Sequence, residues 1–102
     1  MSLGADLDRG ADLAILPPVP NPVPAGSRTI SFCYGLRADS PVDLSIYDIL
    51  GNPVAVVVHS DHENAGIYEV GLPISSSFSS GSYTYRLSGA GKNLSGRFVI
   101  SR

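Results

Sequence analysis

Apolar and polar residues alternate with a period of two over most of the chain. Ile30, Phe32 and Tyr34 fall on one side, against Thr29, Ser31 and Cys33 on the other. Val42, Leu44 and Ile46 alternate with Asp43, Ser45 and Tyr47. Tyr68, Val70 and Leu72 repeat the pattern, as do Tyr83, Tyr85 and Leu87 against Ser82, Thr84 and Arg86. Leu94, Phe98 and Ile100 close the set. Successive side chains of a strand point to opposite faces, so this spacing predicts strands with one buried face. Pro53 to Val58 is apolar throughout, which predicts a strand near the interior. Breakers separate the runs at Ala38-Asp39-Ser40-Pro41, Gly51-Asn52, Asn64-Ala65-Gly66, Ser79-Ser80-Gly81 and Gly89-Ala90-Gly91. No helical period appears after residue 27. Short strands with turns at near-regular intervals predict an all-β sandwich. Its expected core is Ile30, Phe32, Leu44, Ile46, Val70, Tyr83, Tyr85 and Phe98.

The first quarter of the chain reads differently. Residues 1–16 have weak helical spacing and no strong cap, so they read as an expression remnant and linker. Pro17, Pro18, Pro20, Pro22 and Pro24 follow. Proline fixes φ and removes a backbone donor, so this stretch is an extended linker or a first edge strand. The folded domain is therefore expected over residues 17–102. The serine-rich run at 75–80 contains Phe78, which predicts a loop pinned to the core by that ring.

Composition narrows the function. The chain has 102 residues, enough for one domain, with 16% charged and a net charge of −2. That argues against the basic stripe of a nucleic-acid binder and disfavours the polybasic patch of an electrostatic membrane anchor. No apolar run approaches the ~20 residues of a spanning helix, so neither a nucleic-acid partner nor a transmembrane segment is expected. The single cysteine, Cys33, allows no internal disulfide and reads as a small buried hydrophobe.

Candidate chemistry is sparse. Strand residues end at Asp48, and Leu50-Gly51 can centre a hairpin turn in which Gly51 takes a positive φ. The Asp48 carboxylate can then accept a hydrogen bond from an amide two residues on. Gly81-Ser82-Tyr83 starts another strand, with the Tyr83 hydroxyl expected to reach a backbone group across the corner. His59-Ser60-Asp61-His62-Glu63 alone has the residue types of a metal site. Its spacing matches no paired ligand motif, and it reads as a solvated loop tip. No nucleophile elbow or paired acid and base appears, so no catalytic, cofactor-binding or metal-ligating residue is assigned.

Four motifs in order resemble one family. They are Pro20-Asn21-Pro22, then Ile46-Tyr47-Asp48-Ile49-Leu50-Gly51, then Gly81-Ser82-Tyr83, then Arg97-Phe98-Val99-Ile100. Together they resemble the C-terminal sorting domain of bacterial type IX secretion, related to the immunoglobulin-like domain of flagellar hook-capping proteins. The resemblance spans roughly residues 17–102. It implies an immunoglobulin-like, seven-stranded antiparallel β-sandwich without catalytic activity. It also implies recognition by the outer-membrane export machinery, a cargo domain upstream in the same precursor, and passage through the periplasm to the cell surface or beyond. On this reading Arg102 is the natural end, and the export signal lies outside the sequence. Pro20, Asn21, Pro22, Tyr47, Asp48, Gly51, Gly81, Tyr83 and Arg97 carry the family motif. Two alternatives stand beside it. One is a structural or adhesive immunoglobulin-like module of a surface protein. The other is an accessory carbohydrate- or metal-binding domain, which would need an aromatic platform such as Tyr47 with Tyr68.

Overall fold

A computed structural model describes residues 12–24, 26, 28–74 and 78–101. The strands are β1 (Leu13–Ile15), β2 (Thr29–Leu36), β3 (Ser40–Tyr47), β4 (Pro53–Glu63), β5 (Gly66–Pro73), β6 (Gly81–Gly89) and β7 (Lys92–Ile100). They form two antiparallel sheets, one ordered β1-β2-β5 and the other β4-β3-β6-β7. The chain is thus an all-β, immunoglobulin-like sandwich of seven strands. In the antibody constant arrangement the fourth strand joins the sheet of the first two. Here β4 pairs with β3 instead, so the sheets hold three and four strands.

The alternating residues meet between the sheets. Ile30, Phe32, Tyr34 and Leu36 of β2 face Val42, Leu44 and Ile46 of β3, Tyr83, Tyr85 and Leu87 of β6, and Phe98 and Ile100 of β7. All are buried. The Phe32 ring packs in T-shaped contact with Tyr85 and Phe98, with centroids 5.6 Å and 6.1 Å away, so one β2 side chain ties β6 and β7 of the other sheet. Phe78 is buried against Tyr83, as expected, while residues 75–77 of the serine-rich run lie outside the described residues. Val70 is the exception among the expected core residues. It is half-buried, because β5 is the outermost strand of its sheet.

Three expectations are corrected. Leu13–Ile15, read as linker, forms β1 and pairs with Tyr34 to Leu36 of β2, burying Leu13 and Ala14. The folded unit therefore begins before residue 17; residues 1–11 lie outside the described residues. The apolar run Pro53 to Val58 is not an interior strand. It belongs to β4, at the edge of its sheet, and Val56 is 65% exposed. Three register irregularities between β3 and β4 turn Val57 and Val58 towards the core and leave Val54 and Val56 outside. Bulges of this kind twist an edge and discourage pairing with other chains. Finally, His59 to Glu63 are not a loop tip but the last turnless stretch of β4.

The proline-rich segment crosses from one sheet to the other. Val19 exchanges two backbone hydrogen bonds with Ser31 of β2. Four residues later Val23 lies parallel to the end of β7. Its N–H donates to the Val99 carbonyl at 2.7 Å, and its own carbonyl accepts from Ser101 at 2.8 Å. Val23 is buried. The segment therefore closes one flank of the sandwich.

Candidate functional site

The family-like residues divide into those used by the fold and those left on the surface. Asn21 sits between the Val19–Pro20 and Asn21–Pro22 cis peptides, and its Oδ1 accepts from the Val99 N–H at 3.2 Å. Asn21 thus ties the crossing segment to β7, while Pro20 and Pro22 are exposed. Asp48 organises the β3–β4 turn. Its Oδ1 accepts from the backbone N–H groups of Leu50 and Asn52, each at 2.9 Å, and the Gly51 N–H donates to the Asp48 carbonyl. This is the turn read from the sequence, with one more amide captured. Gly81 opens β6. Two residues on, the Tyr83 hydroxyl donates to the Ser79 carbonyl at 2.7 Å, while its ring stacks on Phe98.

Gly51 has φ of +87°, and no atom lies within 4 Å of the place a Cβ would occupy. The cost of a side chain there is conformational rather than steric. Gly51→Ala is expected to lower stability by about 1 kcal/mol, and Gly51→Asn by less, because asparagine tolerates the left-handed region better. Urea unfolding of the two variants checks this; an alanine variant as stable as the parent would refute it.

Tyr47 and Arg97 are different. Tyr47 of β3 lies opposite Thr84 of β6, and Thr84 lies opposite Arg97 of β7. The three form one cross-strand row on the outer face of the four-stranded sheet. Neither the Tyr47 nor the Arg97 side chain has a hydrogen-bond or ion-pair partner among the described residues. Beside this row is a cleft of about 490 Å³, lined by Tyr47, Ile49, Thr84, Arg86, Asn93 and Ser95. Asp48 stands at its margin, its carboxylate already engaged by the turn. The sequence reading missed Thr84, Arg86, Asn93 and Ser95 as neighbours of Tyr47, since only the register of β3, β6 and β7 brings them together.

The histidine-rich stretch is dispersed. The His59 ring Nδ1 lies 2.5 Å from Oδ1 of Asp43, and this hydrogen bond, with the charges of Asp43 and Asp61, raises the imidazole above its ordinary pKa. His62 lies 3.2 Å from the Asn64 side-chain oxygen. Glu63 instead accepts from the Tyr34 hydroxyl at 2.6 Å, and burial followed by this carboxylate pushes the phenol up. No group of three potential metal ligands forms among the described residues. Cys33 is half-buried on the outer face of β2 opposite Glu69, not in the core as expected. Burial, and then Glu69, raise its thiol, which disfavours the reactive thiolate. Tyr68 stacks on Tyr34 with centroids 5.4 Å apart, so it offers no platform shared with Tyr47.

No protein-family model matches this chain. No curated protein matches its sequence significantly.

Proposed function

We propose that this chain is a non-catalytic C-terminal secretion and sorting domain of a larger secreted or cell-surface bacterial protein. Its partners are the outer-membrane export machinery and the upstream cargo domain, and it passes through the periplasm on the way to the surface. The observation that carries this reading is the division within the motif. Asn21, Asp48, Gly51 and Tyr83 are consumed by turns and ties that any stable sandwich needs. The Tyr47 and Arg97 side chains make no hydrogen bond or ion pair among the described residues, yet flank Thr84 in one row on the outer face, with Arg97 exposed and Tyr47 half-buried. Outward-facing polar and aromatic side chains without a hydrogen-bond partner are available to a partner protein. The adhesive or structural module remains the second reading, favoured by how much of the motif the fold itself accounts for.

The test fuses residues 1–102 to the C-terminus of an exported reporter in a type IX-competent host. The intact fusion is expected at the cell surface. The Tyr47→Ala, Arg97→Ala double variant is expected to lower surface display about tenfold or more, with an unchanged melting curve. An intact, folded fusion retained in the periplasm would reject the sorting reading and leave the structural module.

A further inference from the structure

The cleft on the outer face of the four-stranded sheet carries a ligand preference of its own, independent of the export reading. Three of its features narrow the ligand. The first is charge. Arg86 has no ion-pair partner among the described residues, and Asp48, the one carboxylate at the margin, is turned to the amides of Leu50 and Asn52. The one guanidinium of the lining, beside an occupied carboxylate and with Arg97 next beyond Thr84, suits an anion. A planar guanidinium matches a carboxylate through two parallel hydrogen bonds.

The second feature is the set of neutral groups. The hydroxyls of Tyr47, Thr84 and Ser95 have no partner among the described residues. Asn93 accepts from the Ser88 hydroxyl at 2.6 Å through Oδ1, which leaves its amide NH₂ to donate. Ile49, 80% exposed, adds an apolar margin beside the Tyr47 ring. The third feature is what the cleft lacks. β3 and β6 each have a neighbour on both sides, so their backbone groups are spent in the ladders, and only β7, which brings Asn93 and Ser95, has an outer edge. A bound peptide draws much of its affinity from main-chain hydrogen bonds to a free edge. Over β3 and β6 the floor offers side chains alone, two hydroxyls, a ring and one guanidinium, and β7 adds the Ser95 hydroxyl and the Asn93 amide.

We propose that this cleft binds an acidic saccharide. The uronate carboxylate pairs with Arg86, the sugar hydroxyls exchange hydrogen bonds with Thr84, Ser95 and Asn93, and the pyranose ring rests against Tyr47 and Ile49. A cleft of about 490 Å³ is within the range of small-ligand sites.

The test titrates the ¹⁵N-labelled chain at low salt with tetragalacturonate, its methyl ester and a tetraglutamate peptide, following amide shifts. Tetragalacturonate is expected to move the amides of Tyr47, Thr84, Arg86 and Ser95. The ester keeps the rings but not the charge, and is expected to bind about tenfold or more weakly, the loss of a charge-assisted pair. Arg86→Gln is expected to lose the same factor with the rest of its spectrum unchanged. Absence of shifts at millimolar tetragalacturonate would overturn the proposal. So would equal binding of the ester, an unaffected Arg86→Gln variant, or a peptide that binds as well as the saccharide.

Discussion

Phe32→Ala is expected to cost about 3–5 kcal/mol, most of the stability of a domain this size. The residue is fully buried in β2, and its ring meets Tyr85 and Phe98 of the opposite sheet in T-shaped contact. Truncation removes the transfer free energy of the ring and leaves a cavity that two strongly hydrogen-bonded sheets cannot close. The aromatic pairs contribute about 0.5–1.5 kcal/mol each beyond buried area. Urea denaturation should show a much lower midpoint with an unchanged slope. Val56→Ala, on the outside of β4, serves as the control and should change stability by no more than about 0.5 kcal/mol. A Phe32→Ala loss comparable to that control would mean that the two sheets do not meet as described.

Gly96→Ala should destabilise by about 1–3 kcal/mol, an overpacking effect rather than a cavity. Gly96 of β7 lies directly opposite Tyr85 of β6, and the tyrosine ring covers it. A Cβ on residue 96 would stand 2.5 Å from Cζ and 2.8 Å from Cε2 of that ring, closer than carbon atoms approach. Tyr85 is itself buried and held against Phe32, so the ring cannot swing aside without disturbing the inter-sheet contact. The double variant Gly96→Ala, Tyr85→Leu is the informative comparison. If the clash is the cause, the glycine substitution costs less in the leucine background, and a double-mutant cycle measures the difference. Equal costs in both backgrounds would refute the overlap.

Local chemistry was legible in the sequence, and long-range register was not. The Asp48 turn and the Tyr83 corner each close within four residues, so the residue types alone specify them. Strict alternation likewise identified the inward faces of β2, β3 and β6. β4 defeated that logic because its bulges move apolar residues from one face to the other, and an uninterrupted valine run carries no phase. β1 is too short to display a period and lies among residues that resemble a linker. Gly96 could have been noticed, since a lone glycine inside a strand marks close approach of a neighbour. Its partner could not, because pairing follows from the register of β6 on β7. The same holds for the cleft, whose walls come from three strands, and for the Asp43 carboxylate that meets His59 from a different strand.

The parallel contact between Val23 and the end of β7 has a mechanical meaning. Tension along the chain that has passed β1 and the Val19–Ser31 pair, and that leaves through Ser101, pulls Val23 and Ile100 in opposite directions along their common axis. The hydrogen bonds from Val23 to Val99 and from Ser101 to Val23 then bear load together, in shear, instead of opening one after another like a zipper. Resistance to forced unfolding is set by the unfolding barrier rather than by equilibrium stability. A pull on the two ends of the domain therefore meets a shear clamp between Val23 and the end of β7.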